Sequence, residues 1–351
     1  MCIGAPYRFW HSDTLGRSRG QVGHNRGVLS LVCFALGGLL GWGTARGGDT
    51  VQRVWPVVLR VQILVTSATL SLVASWRLTS ASELLGPLAL AAGFWLLLGA
   101  TVLTRGRRSP GTSALESWAV SPNSGFWVVP AATAFAGSTG TMIAVLANVI
   151  VSGWSAVCVH LMRRDAPFRQ RRATSWVDQS PLLASIVGLL LHLVDAAPTW
   201  TADILTWASP LLAFSGAALF TGSVIHPHNL AVRHTEHALR RWTRLTVVRV
   251  AYYLVVALAA LAASSTPIAI VAVLSGLSAP AFQPVQLAVL YGYRSEIVVA
   301  AVRWGWLLAP LGLLAAALLR CVRRSESAEP LVLNAGSAPA GRSAENGSSG
   351  S

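Results

Sequence analysis

Long apolar runs separated by short polar joints dominate this chain. Ten of them, at 28–45, 55–76, 84–104, 118–136, 141–162, 180–197, 203–225, 246–264, 267–290 and 297–319, approach or exceed the length needed to cross a bilayer's hydrocarbon core, about 30 Å thick. In lipid a backbone must satisfy its own N–H and C=O groups, so each run predicts a helix and the chain predicts an all-α integral membrane protein. Five runs precede a basic linker at 163–179 and five follow it. The predicted layout is a tail at 1–27, a first five-helix repeat at 28–162, the linker, a second five-helix repeat at 180–320, and a tail at 321–351. The last tail is rich in Ser, Gly and Ala and is expected to be disordered. An odd number of spans per half makes the halves enter from opposite sides, the condition for an inverted repeat.

The fourth and ninth spans are interrupted in matching places. "SPNSGFWVVPAATAF" carries Asn123, Ser124, Gly125 and Pro130 inside an apolar run, and "SGLSAPAFQPVQLAV" carries Pro280, Gln283 and Pro284 inside another. A broken helix at membrane depth is tolerated only where it is buried in protein or lines a cavity. Paired breaks in two repeats point to a transporter's substrate site. Taken singly, such Pro and Gly residues also make ordinary kinks.

Composition sharpens this picture. The chain has 351 residues, 53% hydrophobic and 11% charged, against about 25% charged in an ordinary globular chain. Its net charge of +14 comes from arginine alone, with no lysine. A basic soluble chain would suggest nucleic acid; here the arginines lie between apolar spans, so no nucleic-acid partner is expected and the lipid bilayer is. Loops on one side carry Arg46, Arg53, Arg105, Arg107, Arg108, Arg163, Arg164, Arg169, Arg171, Arg172, Arg233, Arg240, Arg241, Arg244 and Arg294, whereas the other side carries Arg77. The excess of positive charge in cytoplasmic loops then puts the central linker in the cytoplasm and both termini outside. Arg8, Arg17, Arg19 and Arg26 in the first tail run against that orientation. A cleaved leader over 1–45 would leave nine spans and destroy the symmetry, so the first span is read as retained. Trp55, Trp76, Trp118, Trp176, Trp200 and Trp242 near span ends fit interfacial rings. Cys2, Cys33, Cys158 and Cys321 show no metal or disulfide spacing.

Ionisable and polar residues within spans are the remaining candidates. Arg60, Arg249 and Arg303 are the main cations. Arg249 sits near a cytoplasmic end and is expected to snorkel. Arg303 is deeper and either holds an anion or pairs with Glu296, two helical turns away on the same face. Asn148 either lines the same cavity or bonds a neighbouring helix. His192 and Asp195 form an H-x-x-D pattern with no accompanying catalytic group. The histidines of "HPHNLAVRHTEH" read as a solvated cytoplasmic loop. Nucleotide and hydrolase motifs are absent, so neither an enzyme nor a cofactor is expected.

Several stretches carry a family signal in order. "SPLLASIVGLLLHLV", "ILTWASPLLAFSGAALFTG" (through Pro210, Leu211, Phe214 and Gly216), "LTVVRVAYYLVVALAAL" (through Arg249) and "LSAPAFQPVQLAVLYGYRSE" (through Tyr291 and Gly292) resemble the second half of the auxin efflux carrier family. "NSGFWVVPAATAFAGSTG" resembles that family's Asn-Thr-Gly-Phe…Pro motif through Asn123, Gly125, Phe126 and Pro130. The chain departs from the pattern at Gln283, Pro284, Arg303, Trp304 and Thr66. The resemblance implies ten helices in two inverted repeats, with the broken fourth and ninth spans crossing near the midplane. It also implies a bacterial inner-membrane permease that moves a small organic anion, a carboxylate, by alternating access. Asn123 and Gln283 would then bond the ligand, Gly125 would let backbone approach it, and Pro130, Pro280 and Pro284 would keep the helices broken. A homodimer stays open. The alternatives are a sodium-coupled symporter of similar architecture, a non-transporting sensor or scaffold, and a membrane-embedded lipid-modifying enzyme.

Overall fold

A computed structural model describes residues 16–45, 61, 63–78, 81–105, 110–165, 180–224, 236–279, 281, 284, 293, 296–305 and 307–328. The described residues form an all-helical protein. Helices α1 (Gly16–Ala45), α2 (Ala68–Trp76), α3 (Leu85–Arg105), α4 (Pro110–Ala119) and α5 (Val129–Arg164) precede the linker. Helices α6 (Ser180–Val194), α7 (Thr201–Val224), α8 (Glu236–Ala262), α9 (Thr266–Gly276), α10 (Glu296–Gly305) and α11 (Leu308–Ala328) follow it. Three stretches, Ser82–Thr104, Ser124–Val151 and Glu236–Ala262, are long and apolar enough to span a membrane. The second of these is bent at Gly137, whose φ of 63° is a left-handed conformation that glycine adopts without a Cβ penalty. Thr141 Oγ1 donates to the Gly137 carbonyl at 2.9 Å and lies 2.7 Å from Thr133 Oγ1, which closes the bend with polar groups.

Large apolar side chains face outward, among them Leu190, Leu193, Val255 and Leu258, with Leu193 79% exposed. A soluble monomer rarely presents such a continuous apolar exterior, whereas lipid solvates it. The core is built from α2, α3, α5, α8 and α9, around Leu70, Leu90, Val128, Leu146, Tyr253 and Leu274.

Helix partners exchange between the two halves. The first helix α1 packs along α7, and α6 packs along α2. Both contacts use small residues. Gly37 lies against the backbone of Phe214, and Gly188 lies against the backbone of Leu72, so a Cβ at either glycine would collide with main chain. Buried hydroxyls accompany both, Ser30 with Ser209 at 3.4 Å and Ser75 with Ser185. Close backbone approach through small residues is how helices gain van der Waals contact where no hydrophobic force acts between them. Helices α3 and α8 meet each other, α4 lies on α3, and α9 lies on α8. Tyr252 and Tyr253 of α8 donate to the carbonyls of Ala89 and Leu90 on α3, at 2.5 and 2.9 Å.

Several boundaries differ from expectation. The helix at the expected fourth span begins at Pro110, eight residues before the hydropathy edge at 118, because α4 carries Ser113, Glu116 and Ser117 into the interior. The stretch expected as a tenth span is two helices, α10 and α11. Pro310 carries no backbone N–H and is tolerated in the first turn of a helix, which fits a new helix starting at Leu308. Trp118 is 4% exposed and belongs to the core, not to an interfacial belt. Arg60 and most of the histidine loop lie outside the described residues.

Candidate functional site

The first break is made locally. Pro122 cannot donate to the carbonyl four residues back, so α4 ends at Ala119, and Ser121 N–H turns instead onto the Trp118 carbonyl at 3.0 Å. Asn123 then caps the next helix, its Oδ1 accepting from Phe126 N–H at 3.3 Å. The turn Ser124–Val128 is a wide π turn, with Val128 N–H on the Asn123 carbonyl at 3.0 Å. Pro130 lies beyond it, buried inside α5, so the helix breaker is Pro122 rather than Pro130.

The second break meets the first. Asn123 N–H donates to the Ala279 carbonyl at 3.1 Å, and Ala281 N–H donates to the Ser121 carbonyl at 3.0 Å. This pattern is an antiparallel backbone bridge between the two interrupted segments. Main-chain groups freed by each break are thus satisfied by the other. The C-terminal ends of α4 and α9 both run into this crossing.

Arg249 of α8 joins the same point. One guanidinium nitrogen donates to the Val120 carbonyl at 2.7 Å and the other to the Ser278 carbonyl at 3.2 Å. The side chain is 2% exposed, so it does not snorkel; it reaches inward to clamp a carbonyl from each break. Arg249 Nε and Ser278 Oγ are buried without a hydrogen-bond partner among the described residues. Glu116 on α4 is a further interior charge, 1% exposed and held at 2.9 Å by Arg241 of α8.

The crossing faces α1 and α7. Trp127 meets Phe34 of α1 edge-on, with centroids 4.7 Å apart. Phe126 packs against Gly216 of α7, where a Cβ would come within 2.5 Å of the Phe126 Cβ. Gly125 differs: a Cβ there would meet only the Asn148 amide, at 3.7 and 3.8 Å, which is ordinary contact. The structure therefore brings Asn123, Ser124, Gly125 and Asn148 to one place. Asn123 is 8% exposed, and its Nδ2 has no partner among the described residues.

The remaining candidates are less concentrated. Pro284 is buried and helical, while Pro280 and Gln283 lie outside the described residues. Arg303 falls on α10, but its side chain is outside the described ones. Asp195 accepts from Ala196 N–H at 2.7 Å and Trp76 Nε1 donates to the Asp195 carbonyl at 3.0 Å; this is turn capping. No grouping of three metal-ligating side chains occurs among the described residues. Glu116, Pro122 and the inward role of Arg249 escaped the sequence. The signals were present, as a Pro-Asn pair after an apolar run and a lone Glu and Arg among apolar neighbours.

No model of a known protein family matches this chain, and neither does the sequence of any curated protein.

Proposed function

We propose that this protein is a bacterial inner-membrane secondary transporter for a small organic anion, a carboxylate, working by alternating access around the crossing. The observation that carries this is the antiparallel bridge from residues 121–123 to 279–281, with Asn123 capping the half-helix that leaves it. Interrupted helices crossing inside a helical membrane protein are the setting in which transporters hold substrate. A half-helix N-terminus favours negative charge, and the free amide of Asn123 adds a donor directed by no other described group. Asn148, opposite Gly125, supplies a second amide.

The exchanged pairings α1–α7 and α2–α6, with α3 on α8, support ten crossings arranged as two inverted five-helix repeats. On this reading the α1, α2, α6 and α7 group is the frame, and the helices around the crossing are the moving bundle. The auxin efflux carrier resemblance points the same way and supplies the carboxylate class.

The test is a thermal-unfolding screen of the purified full chain in detergent against aromatic monocarboxylates and aliphatic dicarboxylates. A ligand at 100 times its Kd adds about 2.7 kcal/mol to the folded state, which such a screen resolves. Stabilisation by one acid, lost in both Asn123→Ala and Gln283→Ala, is the expected result. Stabilisation that requires sodium would favour the symporter alternative. A flat response to every acid would count against transport of carboxylates altogether.

A further inference from the structure

Arg249 is an unusual residue for the inside of a membrane protein. Its guanidinium is 2% exposed, it bonds two carbonyls, and no carboxylate is bonded to it among the described residues. A buried cation without a counter-charge is costly unless something else supplies negative potential. Here that source is visible. Helices α4 and α9 both end at the crossing, and a helix C-terminus carries roughly half a negative charge. Two such ends together match one guanidinium, and Arg249 bonds a carbonyl at each: Val120 just past α4, Ser278 just past α9.

Building on the transporter reading above, we infer that Arg249 is the specificity-determining residue for ligand charge at the crossing. Without it, the two C-terminal ends would outweigh the N-terminal end at Ser124 and the crossing would repel anions. With it, they are cancelled, and the N-terminal end with its Asn123 amide becomes the uncompensated pole. The second observation is Asn123 itself, 8% exposed, with an Nδ2 that has no partner among the described residues. Arg249 does not touch the ligand; it acts through the backbone of both breaks and is a positioning residue.

The test uses matched acid and amide probes on the purified full chain: benzoate with benzamide, phenylacetate with phenylacetamide, and succinate with succinamide. The readout is the ratio of acid to amide affinity from thermal-unfolding titrations, which a merely structural role would not move. The wild-type chain is expected to prefer one acid over its amide by about tenfold or more. In Arg249→Gln that ratio falls to one or below, because charge is lost while one hydrogen bond can be kept, and Arg249→Lys restores the preference. A ratio unchanged in Arg249→Gln overturns the role of Arg249 while leaving the anion site standing. Equal wild-type affinity for acid and amide overturns the inference and leaves a charge-indifferent site. No binding of any acid by the wild type removes the transporter reading and the inference with it. If Arg249→Gln does not fold, the wild-type ratio and Arg249→Lys decide, since a lysine variant that folds without acid preference also overturns the assignment.

Discussion

Glu116 and Arg241 hold each other at 2.9 Å across α4 and α8, with the carboxylate 1% exposed and the guanidinium side chain 16% exposed. Removing one partner of a buried ion pair strands the other. Glu116→Ala is expected to cost roughly 3 kcal/mol, and Glu116→Leu with Arg241→Met to recover most of it. Chemical unfolding of the purified chain, as a double-mutant cycle, checks this. A single-variant loss below about 0.5 kcal/mol would mean water reaches the pair.

Gly125 and Gly216 separate packing from binding. Gly216→Ala would press a methyl onto Phe126, and overpacking of this kind costs about 1–3 kcal/mol. Gly125→Ala meets only the Asn148 amide at an ordinary distance and should leave stability within about 1 kcal/mol of wild type. Its effect should appear in ligand binding, as a loss of acid-induced stabilisation. Equal behaviour of the two variants in both assays would refute the distinction.

Asn123 has two duties. Asn123→Ala removes a helix cap and should cost about 1 kcal/mol of unfolding free energy. Asn123→Asp keeps the cap but replaces the donating amide with a negative charge. It should retain stability near neutral pH yet abolish acid binding. An aspartate variant that still binds acids would move the ligand away from this amide.

The exchanged helix pairs are open to covalent test. In a background with all four cysteines changed to serine, Ser30→Cys with Ser209→Cys, and separately Ser75→Cys with Ser185→Cys, should each form a disulfide on mild oxidation, because their hydroxyls already meet. Mass spectrometry of the digested chain reads both. Linkage in one pair but not the other would contradict the matched arrangement.

Much of this was legible in the residues, and the parts that were not share a cause. Apolar run length located α3, α6 and α7 closely, since lipid-facing helices must be apolar along most of their length, whereas α8 begins at Glu236, ten residues before the expected edge at 246, on a polar first turn. The break at Asn123 was legible because Asn, Ser and Gly interrupt an apolar run there, although the proline that ends α4 is Pro122 and not the expected Pro130. The half-helix α4 was not, because Glu116 and Ser117 look like loop residues until Arg241 and the Ala114 carbonyl, at 2.9 Å from the serine hydroxyl, satisfy them. Arg249 was misjudged for the same reason. Its depth along α8 permits snorkelling, and only the arrival of carbonyls from two distant segments turns it inward. Polar groups in this protein are explained by partners far away in the chain, which a local pattern cannot reveal.

That long reach also has a cost in time. Ser30 meets Ser209 across 179 residues of sequence, so α1, which touches α5 and Trp127 within its own half, lacks its most extensive partner until α7 has been made. At about 5–20 residues per second the ribosome takes roughly 10–35 s to supply it. For that interval Gly37 and its flanking groove stand open to any other helix in the membrane. The nascent first half is therefore a natural client for an insertion chaperone, and a release of either half alone would yield an orphan with its glycine seam unfilled.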